Sequence, residues 1–102
     1  MRNRHVLMVL PERVHLMDVA GPVQVFMAAN DFGTDYTVGY VADVGTVTSF
    51  QGLPLRAETS WPELRDKDLV IVPGWRATHP CRTVPISEPL LGHVRSHAEH
   101  GG

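Results

Sequence analysis

Unbroken apolar runs alternate with amphipathic stretches along the chain, and this alternation predicts strands separated by helices. Residues 6–10 (Val-Leu-Met-Val-Leu) form one run, which ends at Pro11. Residues 69–72 (Leu-Val-Ile-Val) form another, which ends at Pro73. A continuous apolar run is typical of a strand buried on both faces of a parallel sheet. We therefore predict two core strands at these positions.

Two stretches have the periodicity of amphipathic helices. Asp18 is a candidate N-cap for the first, Pro22 is an early helix proline, and the helix is expected to end near Asn30. Its apolar positions on one face are Val19, Val23, Phe26 and Met27. Ser87 is a candidate N-cap for the second helix, which is predicted to continue to Ala98.

The middle of the chain predicts further extended structure. Residues 36–42 are rich in β-branched and aromatic side chains and indicate a third core strand. Residues 46–50 and 53–57 flank Gln51-Gly52 and predict a small hairpin outside the main sheet. A short helical turn is expected over residues 61–64.

These elements predict an α/β fold, a partial flavodoxin-like doubly wound parallel sheet with three core strands plus the hairpin. Ligands bind beyond the carboxyl ends of the strands in such sheets. Three strands and two helices make half of a sheet of this kind, so the fold is expected to stop before its next strand. In the strand order of that fold, residues 69–72 would then have an open edge that favours pairing, swapping or aggregation.

Composition and charge limit the class of protein. Hydrophobic residues make up 43% of the 102 residues and charged residues 20%, which is typical of one globular domain. The net charge is −2, and no basic run argues for direct contact with nucleic acid. The single cysteine fits a reducing compartment, and no apolar stretch reaches membrane-spanning length, so a cytoplasmic location is expected.

Three segments carry a resemblance to a known family. In the first helix the matching positions are Asp18, Gly21, Pro22, Phe26, Ala29 and Asn30. Gly52-Leu53 with Leu55, and residues 69–74 (Leu-Val-Ile-Val-Pro-Gly), match in the same order. The chain resembles the N-terminal half of PfpI/ThiJ-type, class I glutamine-amidotransferase-like domains of AraC-family transcription regulators. The resemblance spans residues 5 to 100.

The resemblance also implies a missing part. In that family a strand and a sharp turn with a catalytic cysteine follow, and no Cys-x-Gly segment of this kind occurs here. Cys81 lies between two prolines in a predicted loop, away from that position. The chain as given is therefore expected to be without catalysis, with the DNA-binding domain absent.

Two interpretations of Asp18 remain open. Related isonitrile hydratases have a functional acid at the matching position beside the cysteine. A helix N-cap is the alternative, and it is preferred because no cysteine is available beside Asp18. Gly21 belongs to the same motif and is included with Asp18 in a predicted ligand site.

The segment after the last core strand supplies the other predicted ligand-binding residues. Gly74 matches a glycine whose backbone N–H helps form an anion site in relatives, although a plain turn is the alternative. Trp75 replaces the second glycine that the family usually has, and it can narrow a pocket, stack on a ligand or pack at a dimer interface. Arg76 is a candidate bidentate contact for an anionic ligand or a surface residue.

Histidines on the last predicted helix share one face but do not make a metal site. His93, His97 and His100 have three- and four-residue spacing, yet Glu99 is their only additional ligand candidate, so a solvated face is preferred. Cys81 with His79 is too sparse for a site. We expect no metal and no cofactor.

Three functional hypotheses follow. The first is a sensory and dimerising domain of an AraC-type regulator that binds a small effector or self-associates and contacts DNA only through a C-terminal domain. The second is a fragment of a PfpI-type cysteine hydrolase or isonitrile-hydratase-like enzyme. The third is a structural piece that assembles with another copy of itself.

Overall fold

The first apolar run forms the central strand of a parallel sheet. The computed structural model describes residues 3–77 and 84–100, which form a mixed α/β fold with a three-stranded parallel sheet and two helices. In chain order the elements are β1 (Arg4–Val9), α1 (Leu16–Ala29), a 3₁₀ turn (Asn30–Phe32), β2 (Tyr36–Val41), β3 (Thr46–Thr48), β4 (Pro54–Arg56), β5 (Leu69–Ile71) and α2 (Glu88–Glu99).

The strand order of the main sheet is β2-β1-β5. β1 pairs with β2 from Arg4 opposite Tyr36 to Val9 opposite Val41, and with β5 over three residues from Val6 opposite Leu69. β3 and β4 pair antiparallel in a separate sheet. The three predicted core strands and the external hairpin are therefore confirmed.

Alternate side chains of β1 pack against different helices. Val6 and Met8 lie in a core with Val19 of α1, while Leu7 and Val9 lie in a second core with residues of α2. These four of the six β1 residues are buried. The two-sided burial explains why residues 6–9 are continuously apolar and do not alternate with polar residues.

The start of α1 differs from the prediction. The N-cap is His15 and not Asp18, which lies within the first turn. The His15 side chain makes no capping bond, and the Leu16 N–H donates instead to Oε1 of Gln51, at 3.0 Å. A side chain from the hairpin thus replaces the local cap. Pro22 consequently lies inside the helix and not at its beginning.

The predicted cap of α2 is confirmed. Oγ of Ser87 accepts a hydrogen bond from the Leu90 N–H. The Ser87 N–H donates to Oδ2 of Asp43 at 2.8 Å, and its hydroxyl donates to Oδ1 of the same carboxylate. Asp43 follows β2, so this contact attaches the start of α2 to the carboxyl end of the sheet.

Two other predictions need correction. Residues 61–64 form no helical turn, and Trp61 and Leu64 instead pack against the core that includes Leu90 of α2. β5 has only three residues, and Leu69 is 39% exposed, so this strand is less buried than its apolar sequence suggested. Within the described residues β5 has a hydrogen-bonded neighbour on one side only.

No helix in the described part of the chain has the length and apolar character needed to cross a membrane.

Candidate functional site

A short extended segment after β1 organises the carboxyl end of the sheet. Residues 13–15 lie between the end of the hairpin's first strand and the chain that follows β5. On the hairpin side the Arg13 N–H donates to the Thr48 carbonyl (3.1 Å), and the Phe50 N–H donates to the Val14 carbonyl (2.9 Å). These bonds hold the hairpin beside the carboxyl end of β1.

The other side of the same segment binds residues 74–76. The His15 N–H donates to the Gly74 carbonyl at 2.8 Å, and the Arg76 N–H donates to the Arg13 carbonyl at 3.0 Å. Val14 and Trp75 form the antiparallel bridge between these two bonds. Ligands of α/β sheets bind at this end, so the bonded segments form the floor of a candidate site.

Asp18 and Gly74 are brought into direct proximity. A Cβ atom added to Gly74 would lie 2.8 Å from Oδ2 of Asp18 and 3.8 Å from Cδ2 of His15. Real Cβ atoms do not approach an oxygen so closely, so glycine at position 74 allows the carboxylate to lie against the backbone. Gly74 therefore has a packing role beside Asp18, in addition to any role of its N–H.

Arg76 extends over an aromatic ring that the sequence did not identify. Its Cζ atom lies 5.2 Å from the centroid of the Phe50 ring. Cζ of Arg13 lies 5.6 Å from the same centroid, and the His15 ring is 5.9 Å from it at a tilt of 43°. Two guanidinium groups and an imidazole thus lie within 6 Å of the centroid of one phenyl ring.

The other predicted residues differ in their placement. Trp75 is half-buried and joins the site through its backbone bridge to Val14. Gly21 lies nearly one turn beyond Asp18 on α1, and open space surrounds the position that a Cβ atom would occupy there. The contacts of the site therefore connect Asp18, Gly74, Trp75 and Arg76 but do not include Gly21.

Arg13, His15, Phe50 and Gln51 are the members of the site that sequence reasoning missed. Some of these residues reach the site through contacts with residues at least 35 positions away, and others lie in a loop after a strand. Neither kind of placement has a local sequence signature. A weak signal was available, since Arg13 and His15 follow the first core strand directly, at the edge where such sheets bind ligands.

An apolar cavity lies next to the site, between α1 and the hairpin. Its volume is about 280 Å³, and Arg56 is the charged residue in its lining. The lining consists of Leu10, Leu16, Val19, Ala20, Val23, Tyr40, Leu55 and Arg56. The cavity is large enough for a small apolar group, since engineered cavities of about 150 Å³ bind benzene.

The histidines of α2 make separate contacts. His93 stacks on Trp61 with a ring distance of 5.1 Å, and Nε2 of His97 lies 2.7 Å from the Asp68 carbonyl. Nδ1 of His100 lies 2.7 Å from the Ser96 carbonyl. In residues 3–77 and 84–100 no three potential ligands are grouped for a metal ion. Cys81 and His79 lie outside the described residues.

Within residues 3–77 and 84–100, Asp68 is the ionisable group with a clear pKa shift, and it lies at the opposite end of the sheet. Burial alone would raise the pKa of this carboxyl group. The backbone N–H groups of Arg65 and His5 and the positive charges of both residues outweigh that effect, so its pKa is lowered. The Asp68 carboxylate therefore has a structural role away from the candidate site.

Comparisons with known proteins agree with the described architecture. No protein-family model matches the chain. A Streptomyces lividans protein, described as an uncharacterized protein in the cpoL 5′ region, is 34% identical over 70 residues, covering 68% of this chain and 50% of that protein. An AraC family transcriptional regulator from Pseudomonas putida matches with a TM-score of 0.71 and 25% identity, covering 96% of this chain and 52% of the regulator.

The chain thus spans about half the length of both proteins. Nearly all of its α/β architecture is shared with part of an AraC family transcriptional regulator.

Proposed function

We propose that the chain is the sensory and dimerising part of an AraC-type transcription regulator, built on a PfpI/ThiJ-type, flavodoxin-like domain. The observation that carries the proposal is the structural match to the regulator from Pseudomonas putida over 96% of the chain. The β2-β1-β5 order with helices on both faces is also compatible with the first half of a doubly wound sheet. DNA contact would belong to another domain of such a cytoplasmic regulator.

The effector site in this proposal is the group around Asp18, Gly74, Trp75 and Arg76, with Gly21 nearby on α1. Three hydrogen-bonded segments hold it at the carboxyl end of the sheet. Residues 3–77 and 84–100 contain no cysteine that would act as a nucleophile beside Asp18. Binding without catalysis is therefore the activity that this group of residues supports.

Self-association is supported by the outer surface of α1. Met17 is 76% exposed and Val25 is 66% exposed, and they lie about two turns apart. Phe32 just after the helix is 89% exposed. Large apolar side chains exposed along one helix and the turn after it are candidates for protein contact. We infer that a second copy of the chain covers this surface.

A repression assay tests the proposal. The chain would be fused to a DNA-binding domain that represses a reporter only as a dimer. We expect the fusion to repress, and we expect Met17→Glu with Val25→Glu to remove repression because two charges would be buried in the interface. Ser96→Glu, on the exposed part of α2, is the matched control and should still repress. A fusion that fails to repress and sediments as a monomer would overturn the dimerising role.

A cysteine hydrolase or isonitrile-hydratase-like enzyme is the second candidate. The observation that favours it is the approach of the Asp18 carboxylate to Gly74. Turnover of a small isonitrile or ester would be measured before and after alkylation with iodoacetamide. The regulator proposal expects no turnover, whereas turnover that is lost on alkylation and in Asp18→Asn would establish the enzyme.

A further inference from the structure

We propose that Arg13 and Arg76, with Phe50 between their contacts, form an arginine clamp that binds a small oxyanion, either a carboxylate or a phosphate group. The inference rests on the proposed function, because the clamp belongs to the same effector site, and it adds the chemical class of the ligand. It is carried by the positions of two guanidinium groups relative to one ring.

The backbone places the members of the clamp firmly. The Arg76 N–H donates to the Arg13 carbonyl, so the two arginines start from hydrogen-bonded neighbouring segments. Phe50 is attached on the other side of the same segment through its bond to Val14. Arg13 has a φ of 62°, a left-handed conformation that residues other than glycine rarely adopt. Such conformations persist where the surrounding structure imposes them, and they cluster at ligand sites.

Both guanidinium groups lie within cation–π range of Phe50. Their Cζ atoms lie 5.6 and 5.2 Å from the ring centroid. A guanidinium in such a contact keeps the N–H donors of its plane for a ligand. The plane can then donate two parallel hydrogen bonds to a carboxylate or phosphate. The ring thus reduces the freedom that each arginine would lose on binding.

Neither arginine of the clamp has an ion-pair partner among the described residues. Across residues 3–77 and 84–100 the one ion pair is Arg95 with Glu88, so no carboxylate there is within salt-bridge distance of Arg13 or Arg76. In the same part of the chain no acceptor takes a hydrogen bond from either guanidinium. An oxyanion would supply the counter-charge that these two guanidinium groups lack in this part of the chain.

An NMR titration of the full chain tests the clamp. Sodium phosphate and sodium acetate would be added separately at constant ionic strength, with sodium chloride as the reference salt. We expect saturable shifts of the arginine Nε–H signals of Arg13 and Arg76 with at least one of the two oxyanions. Signals of Arg4, at the amino end of β1, and of Arg95 should not follow the same curve. Saturation with phosphate alone, or with acetate alone, identifies which oxyanion the clamp prefers.

Variants distinguish binding by the clamp from nonspecific attraction of the anion to any arginine. Arg76→Gln should weaken binding about tenfold, since a charge-assisted hydrogen bond is lost. Arg13→Gly should do the same while it keeps the backbone conformation, because glycine adopts a positive φ readily. Arg4→Gln carries the same charge change and should bind normally. Equal weakening by Arg4→Gln, or no saturable shift in the original chain, would overturn the proposal.

The two proposals fail separately. Saturable binding of phosphate or acetate by a fusion that does not repress would leave the arginine clamp established and reject the dimerising role. Repression by a fusion whose arginine signals do not respond to either oxyanion would reject the clamp alone.

Discussion

The two ends of the parallel sheet use their charged residues differently. At the amino end, Asp68 is 2% exposed and accepts hydrogen bonds from the N–H groups of His5 (3.0 Å) and Arg65 (2.7 Å). The Arg65 side chain donates to the Asn3 carbonyl, and His97 contacts the Asp68 carbonyl. The charges at this end therefore attach β1, β5 and α2 to one another.

At the carboxyl end the backbone is just as well bonded, but the charged side chains are not used in the same way. Arg13 and Arg76 lie within cation–π range of Phe50, and Asp18 lies against Gly74. The fold is secured there by main-chain hydrogen bonds, which leaves the side chains available for a ligand. The comparison suggests that removing a charge costs stability at the amino end and binding at the carboxyl end.

Asp68→Ala should have the largest effect on stability. It would leave the buried N–H groups of His5 and Arg65 without their acceptor, at a cost of about 3 kcal/mol in the free energy of unfolding. Urea denaturation followed by circular dichroism measures this value. The exposed neighbour Asp66 supplies the control, and Asp66→Ala should change stability by less than about 0.5 kcal/mol. Similar losses in both variants would contradict the structural role of Asp68.

Acid should also weaken the amino end. The pKa of Asp68 is lowered in the folded chain, so its contribution to stability is fully present above its ordinary value of 3.8. As the pH falls through that value the unfolded chain takes up a proton first, and stability is lost until the lowered folded pKa is passed. Urea midpoints between about pH 6 and about pH 2.5 should fall less steeply for Asp68→Asn than for the original chain. Parallel curves would contradict the shift.

Gly74→Ala tests the close packing at the carboxyl end. The new Cβ atom would lie 2.8 Å from Oδ2 of Asp18, so this exposed carboxylate must rotate away, at a cost of at most about 1 kcal/mol. The cost should disappear in an Asp18→Ala background, which a double-mutant cycle of unfolding free energies measures. Gly45→Ala, where a Cβ atom meets nothing within 4 Å, is the matched control. If Gly74→Ala lowers the free energy of unfolding equally in the Asp18→Ala background, contact with the Asp18 carboxylate is not the cause of the loss.

Arg76→Gln should have the smallest effect on stability. Its guanidinium contacts an exposed ring, and cation–π contacts at exposed sites contribute about 0.5 kcal/mol. Thermal unfolding should therefore be nearly unchanged while oxyanion binding is weakened about tenfold. A loss of stability as large as that of Asp68→Ala would remove the distinction between the two ends.

The sequence predicted the main elements well where local pattern and burial agree. Residues 6–9 of β1 are all apolar because both faces of the strand are covered there, and Ser87 caps α2 through its own Oγ. The start of α1 was wrong because Gln51, 35 residues away, binds Leu16 in place of a local cap. Caps supplied by distant side chains leave no pattern near the helix that they stabilise.

The sequence indicated only part of the candidate site, because some of its members come from distant segments. Asp18, Gly74, Trp75 and Arg76 follow core strands or lie in the family-like segments, and their grouping follows from the parallel sheet. Phe50 reaches the site only through the pairing of the hairpin with residues 13–15. Such a contact depends on tertiary packing, so periodicity and motif spacing do not indicate it.

The hairpin turn has a consequence for how this chain can vary. Adjacent residues of the turn serve different structures, since Phe50 contacts the arginines and Gln51 binds the start of α1. The residues on either side of Phe50 and Gln51 are held in place. Ser49 is buried and its Oγ accepts the Leu53 N–H, and Gly52 has a φ of 91°. Surface loops commonly accept insertions. An insertion of one residue in this turn would prevent Phe50 and Gln51 from making both contacts at once. The length of the turn should therefore be among the least variable in related proteins.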